Sequence, residues 1–153
     1  MPKKTAEKIY ENLSRIGLYE EANLDLDIIS KSKTIAMEDY NYGKTLRNME
    51  DKNYRIIFNI NYDSLRELCD QLMRFKKQKI SNHQGLFAFV ILNFKELKLD
   101  WSFLENVRKI RNENKYEGKD ITKEMWKEIE PEIDNYIIKI NKHIEKEIKN
   151  VKD

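Results

Sequence analysis

The segment Leu86-Phe-Ala-Phe-Val-Ile-Leu92 is the longest apolar run of the sequence, and it decides the fold. It follows Ser81-Asn-His-Gln84, whose Ser-x-x-Gln pattern is a capping box that starts a helix. A helix that is apolar on nearly every side has to be enclosed by the rest of the chain. The run is much shorter than the roughly 20 residues that a membrane-spanning helix needs. We therefore expect a buried helix inside a helical domain, and no membrane segment.

Apolar residues at helical spacing continue on the N-terminal side of this run. Residues about 26–49 and about 54–77 form two such stripes, and only Asp51-Lys-Asn53 separates them. So short a connection predicts a long antiparallel helical hairpin. Gly43 lies inside the first stripe, where glycine costs about 1 kcal/mol relative to alanine. A close crossing of the two helices would explain why a glycine is present there.

Further helices are predicted at both ends of the chain. Residues about 4–17 have the spacing of a short amphipathic helix. A helix that begins near Leu99 is expected to stop at Gly118. From Thr122 onward an apolar stripe reaches the end of the sequence, and Pro131 within it predicts either two helices or one kinked helix. The pattern as a whole indicates an all-α, up-and-down bundle of about five to six helices.

Composition narrows the class of protein. The chain has 153 residues, of which 37% are charged and 40% hydrophobic, and it contains few prolines and glycines. We expect a single helical domain over residues 1–153. Cys69 is the only cysteine, so neither an intramolecular disulfide nor a cysteine-based zinc site can form, and a cytoplasmic location is predicted. The net charge of +2 is too small to indicate a partner by itself.

The segment Val107-Arg-Lys-Ile-Arg-Asn-Glu-Asn-Lys-Tyr-Glu-Gly118 is the strongest candidate for a binding site. Arginine offers a rigid fork of donors that fits phosphate, and asparagine adds neutral donors and acceptors. Helical spacing places Arg111 at the border of the apolar face and Asn114 within it, where polar groups need partners. The predicted binding residues are Arg108, Arg111, Asn112 and Asn114.

A structural interpretation of the same segment is also open. Arg108, Lys109 and Lys115 would then form a solvated face that pairs with Glu105 and Glu113, while Tyr116 packs against the protein. We favour this interpretation for the two lysines.

His83 is the second candidate. Near a helix N-terminus its proton affinity is expected to fall, which leaves a neutral imidazole suited to hydrogen bonding or proton transfer. A capping or packing role is the alternative. His143 is expected to be solvated, and Cys69 is predicted to be a core residue. The sequence has no Gly-rich phosphate loop, no His-Glu-x-x-His and no Gly-x-Ser-x-Gly, so we predict no metal and no cofactor.

The order of these motifs resembles the HEPN domain family. The resemblance rests on the helix start Asn82-His-Gln-Gly-Leu86, then on Leu104-Glu-Asn-Val-Arg-Lys-Ile-Arg-Asn112 followed by Tyr116-Glu-Gly118 and a long last helix. It implies a HEPN-like core at about 24–151. Family members typically dimerise with their Arg-bearing helices facing each other. Many are metal-independent ribonucleases in toxin-antitoxin, defence or RNA-processing systems, and others only bind.

The chain departs from the family at one position. In the ribonucleases an arginine followed by a polar residue precedes a histidine by a few residues. Arg111 and Asn112 match the first half of that motif, but Tyr116 occupies the place of the histidine. General acid-base catalysis contributes typically about 10² to 10⁴ in rate, and a phenol is a poor proton acceptor at neutral pH.

Three hypotheses follow. The first is a HEPN-like homodimer that uses Arg108, Arg111 and Asn112 to bind RNA phosphates, a nucleotide, or a partner such as a minimal nucleotidyltransferase. The second is a ribonuclease in which Arg111 stabilises the developing charge while Tyr116 or His83 handles the proton. The third is a helical module used only for assembly, which a fully solvated Arg111 in a monomeric molecule would favour.

Overall fold

Six α-helices make up most of residues 3–153, the part of the chain that the computed structural model describes. In chain order the elements are α1 (Ala6–Arg15), β1 (Glu20–Glu21), α2 (Leu26–Leu46), α3 (Tyr54–Phe75), β2 (Gln78–Lys79), α4 (His83–Asn93), a 3₁₀ turn (Lys95–Leu97), α5 (Trp101–Glu117) and α6 (Lys123–Lys152). The predicted all-α bundle is confirmed. None of these helices combines the length and the apolar composition that crossing a membrane requires.

The predicted hairpin consists of α2 and α3. A Cβ atom built on Gly43, late in α2, would lie 2.6 Å from Cγ2 of Ile60, early in α3. Ile35, earlier in α2, shares a groove with Glu67, later in α3, so the two helices run in opposite directions. The close crossing at Gly43 is therefore confirmed, because any side chain there would push Ile60 away.

α4 is the buried helix that the apolar run predicted. The five residues Leu86 to Val90 are at most 1% exposed. On one side α1 contacts it, since Ile9 packs with Ala88. A Cβ atom on Gly85 would lie 2.6 Å from Cδ1 of Leu13, and the Tyr19 hydroxyl donates a hydrogen bond of 2.7 Å to the Gly85 carbonyl oxygen. The start of α4 is thus held tightly against the N-terminal part of the chain.

The start of α4 differs from the predicted capping box in one detail. The N-cap is Asn82 and not Ser81, because Asn82 Oδ1 accepts a hydrogen bond of 2.8 Å from the Gly85 amide. The helix therefore begins one residue later than the Ser-x-x-Gln pattern requires. Gln84 does not reach back to the cap. It donates instead to Glu105 of α5.

α6 is one continuous helix of 30 residues that passes through Pro131, so of the two predicted alternatives the one with two separate helices is wrong. Its inner stripe is fully buried and contains Ile133, Ile137, Ile140 and Ile144. Packing of this stripe outweighs the backbone hydrogen bond that Pro131 cannot make. The sequence also gave no sign of the two-residue strands β1 and β2, which pair antiparallel with Glu20 opposite Lys79. Strands so short have no detectable periodicity.

A polar network around Arg47 joins α2, α3 and α6 on the side of the bundle where Trp126 is buried. Both terminal nitrogens of Arg47 donate to the Asp134 carboxylate over 2.8 Å each, and Nη2 also donates to Asn61 Oδ1 over 2.8 Å. The guanidinium lies 5.0 Å from the Trp126 ring centroid. Burial raises the pKa of Asp134, but hydrogen bonds from Arg47 and Tyr40 outweigh burial and hold that pKa below its usual range.

Candidate functional site

A cleft of about 330 Å³ lies between the start of α4 and the second half of α5. Its lining consists almost entirely of polar and charged side chains. They are Ser81, Asn82, His83, Gln84, Arg108, Arg111, Asn112, Lys115 and Tyr116. The structure therefore brings together five of the six predicted site residues, which come from segments about 25 residues apart in the sequence.

Arg111 is the most buried cation of the cleft, with 16% of its side chain exposed. Its Nη1 donates to Asp63 Oδ1 over 2.7 Å, and its guanidinium carbon lies 5.1 Å from the centroid of the Tyr62 ring. A guanidinium has five N–H donors. The bond to Asp63 is the one hydrogen bond that the Arg111 side chain makes among the described residues, so most of the guanidinium donors remain for a ligand.

His83 is joined to Arg111 through Tyr62. The His83 Nδ1 atom lies 2.9 Å from the Tyr62 hydroxyl oxygen, and the same tyrosine ring faces Arg111. Burial lowers the pKa of His83, and the positive charges of Arg66 and Arg111 lower it further. The imidazole is therefore neutral at neutral pH, as the sequence predicted, although burial rather than the helix end is the main cause. Tyr62 occupies Nδ1, and no other residue within 3–153 forms a hydrogen bond with the imidazole, so Nε2 is left for a ligand.

Arg108 is held more firmly than Arg111. Its Nε and Nη2 atoms donate to the two oxygens of Glu105 over 2.9 and 3.1 Å, and Gln84 donates to Glu105 Oε2 over 2.9 Å. The predicted pairing with Glu105 is confirmed, and so part of the positive charge of Arg108 is neutralised. The predicted solvated face is confirmed for Lys109, which is 69% exposed and lies 3.8 Å from Glu113, but not for Arg108, whose side chain is 22% exposed.

Two residues near the end of α5 differ from the predictions. Tyr116 does not pack, since it is 74% exposed at the edge of the cleft, where Lys115 Nζ lies 5.5 Å from its ring centroid. Asn114 is not a cleft residue, because its side-chain amide donates over 2.8 Å to the carbonyl of Lys119. It thereby fixes the chain just after Gly118, which ends α5 with a positive φ of 66°. Its partner is backbone beyond the helix, and helical periodicity does not reveal such a contact.

His143 is the prediction that the structure corrects most clearly. Its side chain is 10% exposed, not solvated, and its Nε2 atom lies 3.4 Å from Glu96 and 3.5 Å from Glu147. The ring packs edge-on against Phe94. The 3₁₀ turn after α4 covers this part of α6, and the sequence did not predict that turn.

Cys69 is fully buried, as predicted, and burial raises the pKa of its thiol, so it is no nucleophile. Within residues 3–153, no group of three or more His, Cys, Asp or Glu side chains is placed to hold a metal ion.

Tyr62 and Asp63 are the functional candidates that the sequence did not indicate. They are adjacent on α3, but Tyr62 is buried beneath the cleft and the Asp63 side chain is 50% exposed. Asp63 meets Arg111 across 48 residues of sequence. The only signal was an aromatic residue followed by an acid at the edge of an apolar stripe, which is common in helices.

Comparison of the chain with protein-family models, with curated proteins and with solved structures finds no match. The resemblance to the HEPN family therefore rests on its short motifs, and what it implies remains a prediction.

Proposed function

We propose that the cleft between α4 and α5 binds the phosphate backbone of RNA, with Arg111 as the main contact. The observation that carries this proposal is the state of Arg111. Its side chain is 84% shielded from solvent, yet among the described residues it donates one hydrogen bond, to a half-exposed carboxylate. A guanidinium with unused donors in a polar cleft is well suited to the oxygens of a phosphate.

The surroundings of Arg111 fit a phosphate as well. Arg108 and Lys115 add positive charge to the cleft, and Asn112 adds a neutral amide. Glu105 and Asp63 neutralise part of this charge, so a modest affinity is expected. The ring of Tyr116 is 74% exposed beside the cleft and offers a surface on which an unpaired base can stack. A volume of about 330 Å³ is near the lower limit of ligand pockets, which suits one nucleotide of a longer strand.

Binding of a fluorescently labelled single-stranded RNA to the full chain tests this proposal. Arg111→Ala is expected to weaken binding about 10- to 100-fold, because a hydrogen-bonded charge contributes about 1.5–3 kcal/mol. Lys109→Ala is the matched control, since it removes one positive charge from the exposed side of the same helix. It is expected to change the affinity by less than about threefold. Equal losses in the two variants, or no binding by the wild type, would refute the proposal.

A ribonuclease is the second candidate, and the observation that favours it is the connection of His83 to Arg111 through Tyr62. In the tautomer whose Nδ1–H donates to the Tyr62 hydroxyl, Nε2 has a lone pair for the proton of a ribose 2′-hydroxyl. The 2′-oxygen then attacks the adjacent phosphorus, the bond from phosphorus to the 5′-oxygen breaks, and that oxygen takes a proton from Tyr116 or water. Arg111 stabilises the charge on the phosphoryl oxygens.

Cleavage of labelled RNA in the presence of a chelator separates the two candidates. The ribonuclease requires that Arg111→Ala and His83→Gln both lower the cleavage rate, by about 10² or more for the histidine. If wild type and both variants cleave at the same background rate while Arg111→Ala still loses binding, the protein binds RNA without cutting it.

The resemblance adds a partner to this proposal, a minimal nucleotidyltransferase in a toxin-antitoxin pair. Co-expression with the product of a neighbouring gene, followed by co-purification through a tag on one chain, tests that partnership. The hypothesis of a module used only for assembly would be favoured by a fully solvated Arg111 in a monomeric molecule. The 16% exposure of this side chain does not support it.

A further inference from the structure

One flank of α2, at the edge of the groove between α2 and α3, carries a row of apolar side chains that nothing in the described part of the chain covers. Ile28, Ile35 and Tyr42 are 47%, 57% and 67% exposed. They are seven residues apart, close to two turns at about 3.6 residues per turn, so they form one line along the helix. We call this line the α2 stripe. Single exposed apolar residues are ordinary, but a row at heptad spacing is typical of a helix that pairs with another helix.

α5, which the family resemblance assigns to the dimer contact, has no such row. Its exposed positions are Ser102, Asn106, Lys109, Lys115, Tyr116 and Glu117. All of them carry polar groups, and the aromatic one belongs to the edge of the cleft. Between these two helices, it is α2 that offers apolar area to another molecule.

Two charged residues beside the α2 stripe indicate what that molecule is. Lys31 and Glu38 are exposed, and neither forms an ion pair or a side-chain hydrogen bond within residues 3–153. Measured from Ile35 at about 100° per residue, they lie about 40° and about 60° away on the same side of the stripe. In the sequence, Lys31 lies four residues before Ile35 and Glu38 lies three residues after it. A helix with this arrangement is complementary in charge to a second copy of itself that runs in the opposite direction.

We propose that a second copy of this chain packs antiparallel against the α2 stripe, with the two-fold axis at Ile35. Ile35 then meets the second copy's Ile35, and Ile28 meets the second copy's Tyr42. Lys31 faces the second copy's Glu38, and the symmetry produces this ion pair twice. In a parallel pair Lys31 would face Ser32 of the other copy instead, and both ion pairs would be lost.

On the other side of the stripe, Asp39 faces the second copy's Ser32, whose hydroxyl can donate to it. Among the residues of α2, the antiparallel register thus brings no like charges directly opposite each other beside the stripe. The contact consists mainly of one helix from each copy, with Arg66 and Glu67 of α3 at the edge of the groove beside Ile35. Its area is therefore expected to be below the roughly 1,200 Å² at the lower limit of standard interfaces. A dimer that forms at micromolar to millimolar concentration is therefore expected. α2 contributes no residue to the RNA cleft, so this inference does not depend on the proposed function.

Analytical ultracentrifugation of the full chain over that concentration range tests the dimer. Ile35→Asp is expected to raise the dissociation constant at least about tenfold, because it places two carboxylates at the two-fold axis. Ile138→Asp is the matched control, since Ile138 is an exposed isoleucine, 41% exposed, on α6. It should leave the dissociation constant unchanged. Circular dichroism confirms that each variant is folded. A wild type that stays monomeric throughout the range, or an equal effect of the two substitutions, would overturn the proposal.

Charge exchange tests the antiparallel register. Lys31→Glu and Glu38→Lys each turn both ion pairs into like-charge pairs, so each is expected to weaken the dimer severalfold. The double variant restores opposite charges and should restore the wild-type dissociation constant. Failure of this rescue would exclude the register.

Thiol cross-linking supplies an independent measurement of the register. Cys69 is fully buried, so an introduced surface cysteine is the reactive one. A mixture of Ile28→Cys and Tyr42→Cys chains should form a disulfide between the two variants faster than either variant forms one with itself. The opposite preference would indicate a parallel pair.

Discussion

Arg47 and Arg111 are two arginines of nearly equal burial that are used in different ways. Their side chains are 13% and 16% exposed. The guanidinium of Arg47 donates four hydrogen bonds, to Asp134, Asn61 and Glu130. Arg47 is the C-cap of α2, and its partners belong to α3 and α6. The guanidinium of Arg111 donates one hydrogen bond, to Asp63. Both guanidinium groups also face an aromatic ring, Trp126 for Arg47 and Tyr62 for Arg111.

The difference shows that burial of an arginine does not by itself mark a site. A guanidinium whose donors are nearly all used holds helices together, whereas one whose donors are mostly unused can bind a ligand. The carboxylate partners of the two arginines differ in the same way, in their exposure and in the number of hydrogen bonds that they accept. Asp134 is 23% exposed and is itself a hydrogen-bond acceptor for Tyr40, but Asp63 is 50% exposed and bonds to Arg111 alone among the described residues.

The largest expected effect is a change in the free energy of unfolding when each guanidinium is removed. Arg47→Met should lower the free energy of unfolding by about 2–4 kcal/mol, because Asp134 and Asn61 lose their partners in a partly buried place. Arg111→Met should lower it by no more than about 1 kcal/mol, since Asp63 stays hydrated. Urea unfolding followed by circular dichroism measures both values. Similar losses in the two variants would mean that the two arginines have the same structural role.

Removing the charge of each carboxylate partner gives a second contrast, in which one substitution raises RNA affinity and the other lowers the free energy of unfolding. Asp63→Asn removes a charge that competes with phosphate for Arg111. RNA affinity should therefore rise about twofold to fivefold, which corresponds to the free energy that a partly exposed ion pair contributes. Asp134→Asn should leave RNA affinity unchanged but lower the free energy of unfolding by about 2 kcal/mol. Fluorescence anisotropy and urea unfolding measure the two effects. A loss of affinity in Asp63→Asn would show that Asp63 is needed to position Arg111.

The free energy of unfolding depends on pH in opposite ways through His83, which lies in the cleft, and through Asp70 of α3. The pKa of His83 is lowered from its ordinary 6.5 in the folded chain, so the unfolded chain takes up the proton first as the pH falls. His83 therefore removes stability as the pH drops through about 6.5, down to its folded pKa. Burial raises the pKa of Asp70 to about 6, which has the opposite effect, because the folded chain takes up that proton first.

His83→Gln removes the effect of His83 on stability and keeps the opposite effect of Asp70. Relative to the wild type, the variant should gain stability when the pH is lowered from about 7.5 to about 5.5. The measurement is the difference in unfolding free energy between wild type and variant at both pH values. A difference that does not change with pH would show that His83 is not desolvated in the fold.

The smallest effect is expected at Tyr116. Its ring is 74% exposed, so Tyr116→Phe should change stability by less than about 0.5 kcal/mol. RNA binding should also persist, because a phenylalanine ring stacks on bases as well as a tyrosine ring does. Any RNA cleavage that disappears in this variant while binding persists would assign a proton-transfer role to the phenol.

The helices could be predicted from the sequence because each depends on residues close together in the chain. The apolar run at Leu86 gave the buried α4, and the glycine at position 43 gave the close crossing of α2 and α3. The cleft was predicted only on its α4 and α5 sides. Tyr62 and Asp63 reach it from α3, and their position depends on how three helices pack. Burial of His143 was missed for the same reason, since an irregular turn covers it.

Gly85 links the cleft to a part of the chain that the family resemblance leaves outside its core. Leu13 and Ile80 lie where a side chain at Gly85 would be, and Tyr19 holds its carbonyl oxygen. Gly85 is two residues from His83, so the N-terminal segment sets the position of the imidazole from the far side of α4. Substitutions at Leu13 or Tyr19, or a binding partner that displaces α1, would alter the cleft without touching it. Residues 6–19 are thus a means by which the geometry of the cleft can be changed from a distance.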